Sequence, residues 1–357
     1  MEKILKNPFL RKYANYLLIG GVAVIFAVLS LAGMLKMSNQ LLLEQIAIAI
    51  LLSVSLGMVV GFLGELSLGH AGFMCAGAYI GGKLSAVLVP AMGGNESNFL
   101  VLILAMIVGG IVAALLGFVI GLPALRLRGD YLAIVTLAFG EIVRTVVMNL
   151  PSEWFGGALG MSTPRFEYKY LFIVCFAMVL VCLAVTQNLI RSKHGRAIIS
   201  IKDNEIAARA MGIDVTKYKL TVFVISSFFA GVAGVLYSYS QYRVQSVSFD
   251  YNYSIEILVM VVLGGMGSIN GSIISAALIT FINYKLQNLL SGNLAVLQNL
   301  IYAIILILIV IYKNAPSLKG FREKYNLNTF AAWVKGKLGG KKAEENAEQE
   351  VAEHDGQ

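Results

Sequence analysis

Long apolar runs alternate with short polar breaks through most of the chain. An α-helix needs about 20 mostly apolar residues to cross a bilayer core, where backbone polar groups must be satisfied internally. Runs of that kind predict spans at Tyr16–Leu35, Leu41–Phe62, Leu68–Val89, Phe99–Gly121 and Tyr131–Met148. Five more are predicted at Tyr170–Ile190, Leu220–Tyr239, Ile255–Gly267, Ser272–Leu290 and Leu294–Tyr312. The pattern therefore predicts an all-α polytopic membrane protein of about ten transmembrane helices, or eight or nine if glycine-rich runs are re-entrant or broken. The first run reads as a span rather than a cleavable signal, because no small-residue cleavage site follows it and further spans do.

Composition supports this class. Of 357 residues 58% are hydrophobic and 13% charged, with a mean hydropathy of +0.77, whereas a soluble domain carries roughly 25% charged residues. Most lysines and arginines fall in segments 1–15, 122–130, 191–219 and beyond 312. Basic residues accumulate on the cytoplasmic side of membrane proteins, so both termini and the 191–219 loop are expected in the cytoplasm. The net charge of +8 is thus an orientation signal, and no nucleic-acid partner is expected. The organisation read from these features is a cytoplasmic N-terminus (1–15), a transmembrane domain (16–312), a juxtamembrane amphipathic segment (313–340) and a disordered acidic tail (341–357). Phe321, Phe330 and Trp333 interleaved with basic residues suit the third of these to a membrane surface.

Catalytic chemistry finds little support. Cys75, Cys175 and Cys182 lie in apolar runs with no Cys-x-x-Cys spacing, and read as small packing residues. There are three histidines, His70, His194 and His354, and no HExxH zinc spacing. "GAYIGGKLS" (77–85) imitates a phosphate loop, but Leu84 stands where the metal-binding hydroxyl belongs, and no strand precedes it. No cofactor or metal is expected, nor an ATPase domain within the chain.

Two glycine clusters, "GELSLGHAGFMCAGAYIGG" (64–82) and "VLGGMGSINGSIISAA" (262–277), have two readings of equal weight. Small residues let helices pack closely; glycine also breaks helices where freed backbone groups meet a polar solute. Charged residues in spans are costly unless paired or facing a cavity. Glu141 and Arg144, three apart, are neighbours on a helical face and read as a self-neutralising pair. Glu44, Glu65 and Glu256 have no partner visible in sequence. Glu65, Ser67, His70, Thr136, Glu141, Gly264, Gly265 and Gly267 are the candidate pathway residues.

The stretch "HGRAIISIKDNEIAARAMGIDVTKYKL" (194–220) is long for a connector. Glu205 to Met211 is a compact helix by propensity, with Asp203 or Asn204 as N-cap and Gly212 as its stop. Ala207, Ala208 and Ala210 leave its flank nearly bare. Glu205 and Arg209 are four apart and can pair with each other or with a partner.

Here the chain resembles a known family. Glu205, Ala207, Ala208 and Gly212 form the E-x-A-A-x-x-x-G pattern of the cytoplasmic motif of ABC importer permeases, whose coupling helix docks on an ATPase subunit. The surrounding segment, with "GELSLGHAGF", "LPALRLRGDYLAIVTLAFGEIVR" and "VVLGGMGSINGS" in the same order, resembles branched-chain amino acid importer permeases of the M type over most of residues 57–290. The resemblance implies the ABC importer permease fold in a bacterial cytoplasmic membrane. It implies a paralogous H-type permease, two ABC ATPase subunits, which hydrolyse the ATP, and an extracytoplasmic substrate-binding protein as partners. It also implies an ATPase-coupling site at Gly195, Arg196, Asp203, Asn204, Glu205, Ala207, Ala208, Arg209, Gly212 and Asp214. Relatives tend to carry a Thr-Gly-Gly-Pro run after the "LAFGEIVR" segment, where this chain has "FGGALGM" (155–161). Related permeases handle urea, short amides or nucleosides, and these solutes stay open, as does a stand-alone secondary transporter or channel. A membrane-embedded enzyme would need a convergent acid, base or metal cluster, against which the shortage of His and Asp in spans argues.

Overall fold

The computed structural model describes residues 36–92, 98–127, 129–164, 166 and 168–289, with isolated positions between 20 and 30 and between 301 and 311. The chain divides into two compact units, Met1–Ala295 and Val296–Gln357, and every element below belongs to the first. Apart from those isolated positions, the expected spans Tyr16–Leu35 and Leu294–Tyr312 lie outside the described residues, as do the segments 1–15, 313–340 and 341–357.

The elements are α1 (Met37–Gly57), continued by a π-helical turn at Met58–Leu63, α2 (His70–Ala91), α3 (Phe99–Ala124) and α4 (Asp130–Asn149). After a short α5 (Ser152–Phe155) and strand β1 (Met161–Ser162) come α6 (Tyr168–Arg191), α7 (Lys193–Asp203) and α8 (Glu205–Ala210). Then α9 (Val215–Gln241), strand β2 (Arg243–Val244), α10 (Tyr251–Gly264) and α11 (Ile269–Leu289) follow. Asparagine and aspartate start several of them: Asn98 accepts from Leu100 N at 3.0 Å, Asp214 from Lys217 N at 3.1 Å and Asp250 from Tyr253 N at 3.0 Å. Each satisfies a backbone donor that a helix start leaves orphaned.

Among the described residues seven helices are long and apolar enough to cross a membrane: α1 with its π turn, α2, α3, α4, α6, α9 and α11. They match seven of the expected spans to within a few residues. The expected span Ile255–Gly267 is instead the 14-residue α10. At 1.5 Å per residue it is about 21 Å long, short of a ~30 Å hydrocarbon core. Gly265, with φ 97°, ends it and the chain turns directly into α11.

Helix α9 is central, packing on α2, α3 and α1. Its contact with α2 is a backbone approach: a Cβ on Gly77 would stand 2.2 Å from Gly231 O, so no larger residue fits without separating the helices. The faces of α3 and α4 away from this core are apolar and exposed, as at Leu115, Val119, Ile134 and Ile142, which suits them to lipid. At one end of the bundle β1 and β2 pair antiparallel, Met161 opposite Val244. Thr163 Oγ1 donates to Ser238 O at 2.6 Å, and Arg243 Nε to Leu159 O at 3.1 Å. The glycines of "FGGALGM" serve this turn: Gly156 closes α5 in the left-handed region, and a Cβ on Gly160 would meet Val244 O at 2.2 Å.

Candidate functional site

Two features at the opposite end of the bundle carry the sequence-derived candidates: a break between α1 and α2, and the α7–α8 segment. The π turn ends at Leu63, Gly64 closes it with φ 80°, and 64–69 runs without helix until α2 starts at His70. Because α2 begins beside Ser55, about two turns back along α1, its first residues lie inside the bundle. His70 Nε2 and Ser55 Oγ are 2.8 Å apart, and Ser226 Oγ donates to Ser55 O at 2.6 Å. Leu68 N donates to Thr136 Oγ1 at 3.0 Å, and Ala71 N to Ser254 Oγ at 3.1 Å. Side chains of α4 and α10 thus replace the carbonyls a continuous helix would supply.

Ser67, His70 and Thr136 are all buried. They form a packed polar junction between α1, α2, α4 and α9. Ser67 Oγ is buried without a hydrogen-bond partner. Gly264 and Gly265 sit at the α10–α11 turn with Gly267 exposed beyond them. That turn lies against the π turn, since a Cβ on Gly61 would be 2.6 Å from Gly267 N. Glu141 pairs with Arg144 at 2.7 Å on α4. Apart from Glu65, the candidate pathway residues therefore separate into a buried junction, a glycine contact and an ion pair along α4.

The α7–α8 segment is held from several sides. Ser192 caps α7, accepting from Gly195 N at 3.2 Å, and Gly195, Ile198 and Ile201 form its buried face. Gly195 is enclosed, because a Cβ there would be 2.1 Å from Ile190 O. Arg196 and Asp203 are exposed on the outer face of α7. Lys202 Nζ reaches across to Gly61 O at 2.7 Å, taking up a carbonyl of the π turn. Asn204 caps α8, its Oδ1 accepting from Ile206 N and Ala207 N, each at 3.0 Å. Gly212, φ 81°, stops the segment, and exposed Asp214 starts α9.

The charged centre lies where these pieces meet. Lys219, in the first turns of α9 and only 3% exposed, donates to Glu65 of the break and, at 3.2 Å, to Glu205 of α8. Glu205 also pairs with Arg209 at 2.7 Å. One buried ammonium thus ties the consecutive helices α8 and α9 to a break that lies 154 positions earlier in the chain. Ala208, expected on an open flank, is 4% exposed and faces the protein's own interior. The open side of the segment presents Ile206, 73% exposed, and Met211, 82% exposed.

Sequence reading placed Lys219 only among the basic residues of 191–219 and assigned no helix ahead of Glu205. The i, i+3, i+6 spacing of Gly195, Ile198 and Ile201 is the signal for α7. No local signal pairs Lys219 with Glu65, 154 positions away.

The family of permease components of branched-chain amino acid transport systems matches the chain over residues 39–310. The high-affinity branched-chain amino acid transport system permease protein LivM of Salmonella typhimurium is 38% identical over 264 residues, 65% of this chain and 60% of the relative. The protein of that name from Escherichia coli K12 is 37% identical over 290 residues, 70% of this chain and 65% of the relative. A probable branched-chain amino acid transport permease protein LivM of Methanocaldococcus jannaschii is 31% identical over 254 residues, 62% and 73% respectively. The match thus spans 60 to 65% of the length of the first two relatives. No solved structure matches the chain.

Proposed function

The chain belongs to the family of permease components of branched-chain amino acid transport systems, and from that premise we propose that it forms half of the transmembrane pathway of an ATP-driven importer of leucine, isoleucine and valine. On this reading a paralogous H-type permease supplies the other half, two separate ABC ATPases supply the energy, and an extracytoplasmic binding protein delivers solute. The membrane is the bacterial cytoplasmic membrane, crossed about ten times, with both termini and α7–α8 inside. Gly195, Arg196, Asp203, Asn204, Glu205, Ala207, Ala208, Arg209, Gly212 and Asp214 build the coupling segment, with Ile206 and Met211 as its contact face.

The observation that carries this reading is a short capped helix with exposed Ile206 and Met211, ion-paired through Lys219 to the break before α2. A stand-alone transporter has no use for an apolar face on a cytoplasmic segment. Movement of a docked ATPase would act on Glu205 and pass through Lys219 to α9 and through Glu65 to the α1–α2 break.

The test is the double substitution Ile206→Asp and Met211→Asp in the chain expressed with its partner subunits. Full burial of such side chains contributes about 1.5–3 kcal/mol each, so ATPase co-purification and leucine uptake should fall at least ~100-fold while membrane insertion is unchanged. Normal co-purification of the ATPase with normal uptake would refute the docking role. Uptake of urea, an amide or a nucleoside in place of leucine would move the solute assignment alone.

A further inference from the structure

At the π turn Met58–Leu63 helix α1 leaves regular geometry, and two separate elements converge there on one carbonyl. Lys202 Nζ of α7 donates to Gly61 O at 2.7 Å. From another side comes the α10–α11 turn: a Cβ on Gly267 would stand 3.4 Å from Gly61 O, and one on Gly61 would be 2.6 Å from Gly267 N. The second contact is glycine backbone on glycine backbone, with no flexible side chain to absorb a displacement. Nothing in the resemblance assigns Lys202 a role.

The lysine is placed by its stem as well as its tip. Gly64 closes the π turn with φ 80°, and a Cβ there would be 2.9 Å from Lys202 Cγ, so the side chain lies across the residue that ends the turn. A π turn is a rare, single-turn departure from α-helix that recurs at functional sites, and an ammonium on its carbonyl is a charge-assisted bond that holds it. Beyond Gly267 the contact passes into a stiff unit. A Cβ on Gly271 would overlap Gly264 O, and Ser275 Oγ donates to Met260 O, so α10 and α11 are locked together at their turn. The tip of this hairpin is open, with Met266 61% exposed. Packed contacts of this kind shift between discrete arrangements rather than yielding continuously.

Building on the proposed function, we infer that Lys202 is a positioning residue for transport, which holds the π turn against the tip of the α10–α11 hairpin so that movement of α7 shifts that tip. The route is separate from the one through Lys219. That ammonium joins α8 to α9 and to the α1–α2 break, whereas Lys202 joins α7 to the π turn and, through Gly61 and Gly267, to α10 and α11. A docked ATPase that moved α7 and α8 together would thus act on two sets of helices at once.

Hydrogen exchange in the purified full-length chain tests the link without any partner. Glu65 N donates to Val59 O at 3.2 Å and Ser268 N to Gly265 O at 2.9 Å, so these amides report on the π turn and on the hairpin tip. Lys202→Met should speed exchange at Glu65 about tenfold, the lower end for a hydrogen bond to a charged group, since Lys202 is otherwise exposed. Exchange at Ser268 should rise with it across the glycine contact, and Lys202→Arg, which keeps a donor on the same stem, should restore both. In the complete transporter Met266→Cys reports on the tip, because the native Cys75, Cys175 and Cys182 are buried. Its rate of maleimide labelling should change about fivefold or more between the nucleotide-free and vanadate-trapped states, the low end of coupling between sites. With Lys202→Met that change should vanish while the ATPases stay bound and hydrolyse ATP, and with Lys202→Arg it should return. Unchanged exchange at Ser268 in Lys202→Met, or an undiminished labelling response in that background, would overturn the inference. If no ATPase co-purifies with the unsubstituted chain, the importer reading fails instead, and the exchange comparison still decides whether Lys202 holds the tip.

Discussion

Replacing Lys219 by methionine removes a cation that Glu65 and Glu205 share. At 3.2 Å and an effective dielectric constant of ~20, the Lys219–Glu205 attraction is about 5 kcal/mol before desolvation is subtracted. Breaking such a pair from one side typically costs about 3–5 kcal/mol, because a charge is left buried without compensation. Glu65 and Glu205 are not equally affected. Glu205 keeps Arg209 at 2.7 Å, whereas Glu65, only 12% exposed, has Lys219 as its ion-pair partner. Lys219→Met should therefore destabilise the chain by about 3–5 kcal/mol. Adding Glu65→Gln should restore the larger part, and adding Glu205→Gln the smaller. Denaturant titration of the purified full-length protein in mixed micelles, followed by tryptophan fluorescence, measures each difference. A loss from Lys219→Met below ~1 kcal/mol, the size of an exposed pair, would refute the reasoning, as would better rescue by Glu205→Gln than by Glu65→Gln.

Two further substitutions test local structure. Asn204→Ala removes both cap bonds of α8 and should cost about 0.5–2 kcal/mol, seen as faster amide hydrogen exchange confined to 205–211 with the spans unchanged. Gly77→Leu drives a side chain into Gly231, which no rotamer avoids because the obstruction is backbone at 2.2 Å from the first carbon; the expected result is a loss of about 1–3 kcal/mol or more, read in the same titration.

Among the described residues hydropathy located seven of the expected spans, because such helices are defined by length and apolarity. Asp130–Asn149 differs from its expected bounds, Tyr131–Met148, by one residue at each end. The misses have particular causes. The start of α9 is five residues earlier than expected because Lys217 and Lys219 interrupt the apolar run, yet Asp214 caps the helix ahead of them and Lys219 finds carboxylates. Helix α10 was read as a span because apolar composition continues to its end, while its length is set by one glycine dihedral at 265. The α8 segment was legible where its signals are local: the Asn204 cap, the Gly212 stop, the Glu205–Arg209 spacing. Which alanine faces outward was not legible, because the burial of Ala208 depends on the surface beneath it. A polar cavity is spread over the four helices α1, α9, α10 and α11, and each contributes residues at helical spacing, such as Thr280, Asn283 and Gln287. Such stripes inside apolar runs are visible in sequence once they are looked for, though which stripes converge is a property of packing.

The junction at the start of α2 also sets an order of events during synthesis. Ala71 N is satisfied by Ser254 Oγ, 183 residues later in the chain. At roughly 5–20 residues per second, about 10–40 s pass between the making of that donor and the making of its acceptor. For that interval the first turn of α2 must rest in water, on lipid headgroups or against the insertion machinery. An early helix of this protein is thus completed by a late one, and truncation after α9 should leave α2 retarded at the membrane surface.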